Sequence, residues 1–469
     1  MIKTFLFLHG VILAVLLLLF SLIVKDLLLF AIACLVTAIF FLPLVKTRKK
    51  DIFSVMSWAF YSVFLGVFLR ITYISFDLVG YEKLNDIFLL DKPKSELISG
   101  ALVVLFGTFF LILGFLVPIW QFKSMKNSFL INENWSKGRY VFLTSFILLL
   151  SLFSLLYFIQ SNGGILIATI SAYRGVADNL TEINTQGYLR WLISLSGINV
   201  FFTISWLIKK KDSLKFFSIV IFTLSLLIFI FFNFFVSQRT AIVFAFIQII
   251  AVFYYSNNYR LPKVWIGVGL FISLFIFQFM SLIRFNNGIE NLEDSKFSVY
   301  GPIELAILAT NFVDISKTAH IVNAIPNKLP FAYGETYSTI FFAWIPRSIW
   351  PSKPVSNVDN TIGIKVFGSN TYGSGAVPPG LFAELYWNFW YPGVFIGCFL
   401  VGIILKRISS FFQQNMCNMN LIIIYVVNFM FIGISFLGSS FTSILIGVLQ
   451  TLIPTILFLK FVISKKQQL

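Results

Sequence analysis

Apolar runs of 18 residues or more recur along nearly the whole chain, and this one feature restricts the fold more than any other. A run of that length crosses the hydrocarbon core of a bilayer as a helix, and helices or closed barrels are the only backbones that can do so. Charged residues make up only 12% of the 469, too few for a water-soluble surface around a core this apolar. The runs predict about 12 transmembrane helices, near 4–24, 27–45, 52–72, 97–119, 140–159, 189–208, 214–236, 240–256, 264–283, 381–404, 421–437 and 443–462. The fold class expected is therefore an all-α polytopic membrane protein. The first run, Phe5 to Val24, lacks a small-residue cleavage site and reads as a retained helix.

The charges orient these helices. KTRKK at 46–50, KKK at 209–211, Lys406-Arg407 and Lys465-Lys466 fall on one side, where the acids are only Asp51, Glu133 and Asp212. By the positive-inside rule that side is cytoplasmic, with both termini in the cytoplasm. The net charge of +16 is thus topological and does not call for nucleic acid. Arginine is distributed differently: Arg70, Arg174, Arg190, Arg239, Arg284 and Arg347 all fall outside or at outer helix ends. The guanidinium binds phosphate through two parallel hydrogen bonds and stays ionised near lipid, whereas a snorkelling role would serve lysine as well.

The organisation has three parts. Residues 1–283 carry helices one to nine with short loops. Residues 284–380 form one large non-cytoplasmic loop, too long for a passive connection, with interfacial or re-entrant helices. Residues 381–469 hold the last three helices and the tail. In the loop, Asp314, Lys317 and Ile321 share a helical face, with His320 beside them. In IPRSIWPSKP, three prolines stiffen a turn that carries Arg347 and Lys353, a pair of cations suited to a diphosphate. Glu384 lies about one turn into an apolar helix, a depth at which an acid is a functional candidate. The alternative for Glu384 is an ion pair that holds Arg347 or Arg284. Cys34, Cys398 and Cys417 lack ligand spacing, and His9 and His320 are the sole histidines, so no metal site and no cofactor is expected.

The ordered segments SAYRG, SQRTAIVF, GETYSTIFFAWIPRSIWPSKP and PPGLFAELYWNFWYPGVFIG resemble the Wzy-type O-antigen, or oligosaccharide repeat-unit, polymerases. The resemblance covers most of the chain. It implies a metal-independent glycosyltransferase of GT-C-like architecture in the bacterial cytoplasmic membrane. The expected substrates are undecaprenyl-pyrophosphate-linked glycans as donor and acceptor, with a chain-length co-polymerase as a further partner. Glu384, His320, Asp314 and Glu335 are then the candidate acid-base residues, and Arg174, Arg239, Arg284, Arg347 and Lys353 the pyrophosphate ligands. One departure stands out: where the family places glycine after Asn388-Phe389, this chain has Trp390-Tyr391-Pro392, and Gly393 follows. A flippase for lipid-linked glycans and a ligase of related chemistry are the rival functions. A transporter is expected to show internal repeats and ionisable groups at mid-membrane depth. Here no repeat is evident, and those groups gather at the outer face.

Overall fold

A computed structural model describes residues 27–46, 51–75, 94–118, 130, 132–161, 187–209, 214–236, 238–260, 267, 275, 312–342, 345, 349–350, 358–368 and 377–464. Within them all regular structure is helical, apart from one isolated bridge between Trp135 and Ile463. The long helices are α1 (Leu27–Lys46), α2 (Val55–Thr72), α3 (Lys94–Leu116), α4 (Lys137–Ser161), α5 (Gly187–Lys209), α6 (Lys215–Phe235) and α7 (Arg239–Ser256). Two short helices follow, α8 (Ile315–Ala324) and α9 (Val358–Lys365), and then α10 (Gly380–Asn415), α11 (Met419–Gly438) and α12 (Phe441–Val462).

Nine of these described helices are long and apolar enough to cross a membrane; α7 is apolar but shorter. Ten of the expected spans therefore coincide with helices. The span at 4–24 lies outside the described residues, as does 264–283 apart from Gly267 and Phe275. The count of about 12 thus stays an expectation. Exposed Phe142, Phe146, Phe153, Phe216 and Leu227 show where lipid would cover the bundle.

Helices in lipid gain no hydrophobic energy by meeting one another, so close van der Waals contact must hold them. The α3–α10 pair shows how. Gly114 and Gly402 leave so little room that an added Cβ would strike the carbonyls of Phe399 and Leu111. The same device seats α8. Gly66 of α2 abuts Val313 and Phe312, while Gly100 of α3 abuts Ala319. Of the ten α8 residues, only Asn323 is not fully buried. Its amide donates to the Glu96 carbonyl at 3.2 Å, near the start of α3. At the other end of α8, the Val313 N–H donates to Ser62 Oγ, about midway along α2. This helix therefore enters between the long helices instead of lying flat on the bundle.

Two helices deviate from regular geometry in ways that matter for the site. The α2 helix widens into a π turn over Phe64–Leu69 just before Arg70, a distortion that re-aims side chains and recurs at functional positions. Within α10 the backbone breaks at Phe389 (φ −143°) and Trp390 (φ 57°, ψ −151°), two residues before Pro392. Proline is well placed in the first turn of the resumed helix. The Trp390 conformation is one that glycine adopts freely and a side chain strains by about 1–3 kcal/mol. The glycine expected after Asn388-Phe389 would suit such a break, and this chain carries the break on a tryptophan.

The opposite end of the bundle is tied by polar groups. Trp135 Nε1 donates to Asn420 Oδ1 at 2.9 Å, Lys209 pairs with Glu133 at 2.7 Å, and Tyr255 donates to buried Asp51.

Candidate active site

The site lies where α2, α8 and α9 meet the start of α10 and the turn between α11 and α12. Asp314 builds the first part. It caps α8 by accepting from Ser316 N–H at 2.9 Å, and satisfies one of the donors that every helix start leaves open. Its other carboxylate oxygen meets Arg70 Nη1 at 2.6 Å, with both side chains almost fully buried. The π turn ahead of Arg70 sets the direction of that guanidinium. Lys317, one turn along α8, is also buried. Burial brings its ammonium down to about 8, nearby Arg70 acts in the same direction, and Asp314 and Asp359 oppose them.

Glu384 builds the second part. It is 1% exposed, and its Oε2 accepts the Phe441 N–H at 2.8 Å at the start of α12. A carboxylate at that point faces the positive end of the helix dipole. Its Oε1 has no hydrogen-bond partner among the described residues. One turn further along α10, Asn388 ties the neighbouring loop down: its amide donates to Thr336 Oγ1 and to the Glu384 carbonyl, both at 2.8 Å, and its Oδ1 accepts from Gly334 N–H. Thr442 Oγ1 donates to the Thr336 carbonyl at 2.9 Å. Gly380 begins α10 at φ +74°, so close to the Leu437 carbonyl that a side chain would collide with it. Burial raises the Tyr337 phenol well above its usual range, and the Glu384 charge nearby raises it further.

Asp359 connects the two parts. Burial pushes it up, while a hydrogen bond from Ser440 and the charge of Lys317 hold it down. Two carboxylates, Glu384 and Asp359, thus converge on the start of α12. The arrangement can take a proton at Glu384 Oε1 and offers buried positive charge at Arg70 and Lys317.

The expected site residues divide. Asp314 and Glu384 stand in this cluster. His320 is buried with its ring 5.4 Å from that of Phe367, and Glu335 is exposed on the turn that carries Thr336. Arg239 is the first residue of α7, and its side chain is outside the described set. Arg174, Arg284, Arg347 and Lys353 also lie outside the described residues. The involvement of Asn388 was foreshadowed by its four-residue spacing from Glu384. Asp359, in SNVDN, carries no sequence signal, because tertiary contacts alone bring it to Lys317 and Ser440. Among the described residues, no three His, Cys, Asp or Glu side chains converge as metal ligands.

Lys317 gives the cluster a pH signature. Its folded value lies below the usual 10.5, so folding disfavours the protonated form and stability rises with pH between about 8 and 10.5. A catalytic need for its positive charge would act in the opposite direction, lowering activity as pH rises through about 8. Catalytic activity of the purified protein is expected to fall between pH 7 and pH 9, and Lys317→Arg to move that fall upward. An alkaline limb unchanged in Lys317→Arg would remove Lys317 from the active cluster.

No curated protein and no solved structure matches this chain. The profile of the family described as O-antigen polysaccharide polymerase Wzy matches residues 2–467. Together with the bundle of apolar helices, that match over essentially the whole length establishes that this multi-pass membrane protein belongs to the Wzy O-antigen polysaccharide polymerase family.

Proposed function

We propose that the chain joins undecaprenyl-pyrophosphate-linked repeat units into a surface polysaccharide at the outer face of the bacterial cytoplasmic membrane, as a metal-independent glycosyltransferase. The observation that carries this reading is the divided role of Glu384: Oε2 is fixed at the start of α12, while the buried Oε1 accepts no such anchor and the Thr336 hydroxyl lies beside the carboxylate. A base held in this way is oriented without being consumed by its anchor. In the reaction, a sugar hydroxyl of the acceptor gives its proton to Glu384 Oε1, and its oxygen attacks the anomeric carbon of the donor glycan. The bond from that carbon to the pyrophosphate oxygen breaks, and the electron pair leaves with undecaprenyl pyrophosphate.

Charge develops on the leaving diphosphate, so fixed cations aimed at it lower the barrier. Arg174, Arg239, Arg284, Arg347 and Lys353 are assigned this role, since Arg70 is already paired with Asp314. Asp314 is accordingly read as the residue that holds α8 in place, while His320 and Glu335 are the remaining acid-base candidates. The family's lipid-linked substrates, the GT-C-like layout, about 12 spans and cytoplasmic termini complete the proposal, with a chain-length co-polymerase as partner.

The test is deletion of the gene followed by analysis of surface glycan length. Single repeat units without long chains are the expected result. Loss of all exported units would instead indicate a flippase, and unattached long chains would indicate a ligase.

A further inference from the structure

A cavity of about 300 Å³ lies between α11 and α12. Along α12 it is lined by Ser443, Ile444, Gly447, Val448 and Thr451, a single helical face two turns long, or about 12 Å. Ser443 and Gly447 are exposed, so the cavity opens sideways on the apolar flank that lipid would cover. Its upper end reaches Ser439, directly before the Ser440–Phe441–Thr442 turn that holds Asp359, Glu384 and Thr336. At its deep end stands Asn428, within the π turn Tyr425–Phe429, and the buried Oδ1 of this residue has no hydrogen-bond partner among the described residues. That acceptor calls for a polar partner such as water, while Val427, Phe431, Ile432, Ile444 and Val448 give the cavity its apolar wall.

We propose that this cavity seats the first isoprenes of the donor's polyprenyl chain. The inference rests on the polymerase reading above and adds a lipid subsite to it. The geometry selects the donor over the acceptor. The glycosyl–pyrophosphate bond that breaks belongs to the donor, so its lipid begins within one diphosphate of the reacting atoms. The acceptor reacts at the far end of its sugars, and its lipid lies at least a repeat unit away. A lateral opening in the bilayer that runs up to the Glu384 turn therefore fits a chain already dissolved in the membrane and attached to the leaving group. Apolar Phe431, Ile444 and Val448 provide the wall for a hydrocarbon, and the small residues Ser439, Ser443 and Gly447 provide its width.

Gly447 is suited to the test because an added Cβ there meets nothing within 4 Å, so a larger side chain fills the cavity without displacing the fold. The purified wild-type protein is photolabelled with a diazirine-bearing polyprenyl pyrophosphate and digested. Labelled peptides are expected to contain residues 443–451 or 428–439. Excess undecaprenyl pyrophosphate should compete the label away, whereas phosphatidylglycerol should not, and Gly447→Leu should reduce labelling at least tenfold. The inference is overturned if the label falls elsewhere, if phosphatidylglycerol competes equally well, or if Gly447→Leu labels like wild type. Photolabelling needs no turnover, so its outcome is independent of the glycan-length result that tests the polymerase reading.

Discussion

Replacing Glu384 with glutamine is expected to abolish long glycan chains while leaving the protein folded and in the membrane. Glutamine has nearly the same shape, and its carbonyl oxygen can still accept the Phe441 N–H that Glu384 Oε2 accepts at 2.8 Å. The change therefore removes the proton acceptor and keeps the anchor. Loss of a positioned general base typically costs about 10²–10⁴ in rate. Glycan ladders from cells with matched protein levels give the readout, and a normal ladder from Glu384→Gln would sink the assignment of Glu384 as base. Glu384→Asp makes an informative companion. The shorter side chain cannot meet the α12 start and the acceptor hydroxyl together, so it is expected to behave like glutamine although it keeps the charge.

The second large effect is expected on stability, at the pair of Arg70 and Asp314. Removing one partner of a buried ion pair leaves an uncompensated charge and typically costs about 3–5 kcal/mol. The two halves are not equivalent here. Asp314→Asn can retain the cap on Ser316 but leaves Arg70 and Lys317 as two buried cations facing each other. Arg70→Met leaves Asp314 with Lys317 as its remaining positive neighbour. Asp314→Asn is accordingly expected to be the more damaging substitution, and the double substitution to be less damaging than the sum of the singles. Thermal unfolding in detergent, with the amount of monodisperse protein recovered, measures both comparisons. Strict additivity would show that the 2.6 Å contact contributes nothing as a pair. Since Asp314 sets the start of α8, loss of polymer in these variants should follow loss of folded protein. That separates them from Glu384→Gln, in which activity alone should be lost.

Much of the architecture is legible from local sequence because membrane insertion depends on runs of consecutive residues. The helix at 137–161 and those of α5 and α6 follow from apolar length alone. The position of Glu384 one turn into α10 likewise follows from counting along the helix. The role of Asp314 does not. An acid on an apolar helical face reads equally well as base, ligand or cap, and only its contact with Arg70, from a helix more than 200 positions earlier, distinguishes among them. Asp359 is the clearest case of a residue without a local signal, since the cluster acquires it through Lys317 on α8 and Ser440 before α12.

The sequence by itself determined that the chain lives in a membrane as a bundle of helices and carries the marks of a Wzy-type polymerase. Lipid imposes length and apolarity residue by residue, and a short ordered motif survives as a string. Tertiary structure alone decided three further matters: which oxygen of Glu384 is anchored at the start of α12, that Asp314 is held by Arg70, and that a cavity beside α12 reaches the same turn. Each depends on side chains brought from distant helices. Such meetings are fixed by close packing at residues such as Gly66, Gly100 and Gly402, whose effect is exerted across the bundle and not along the chain.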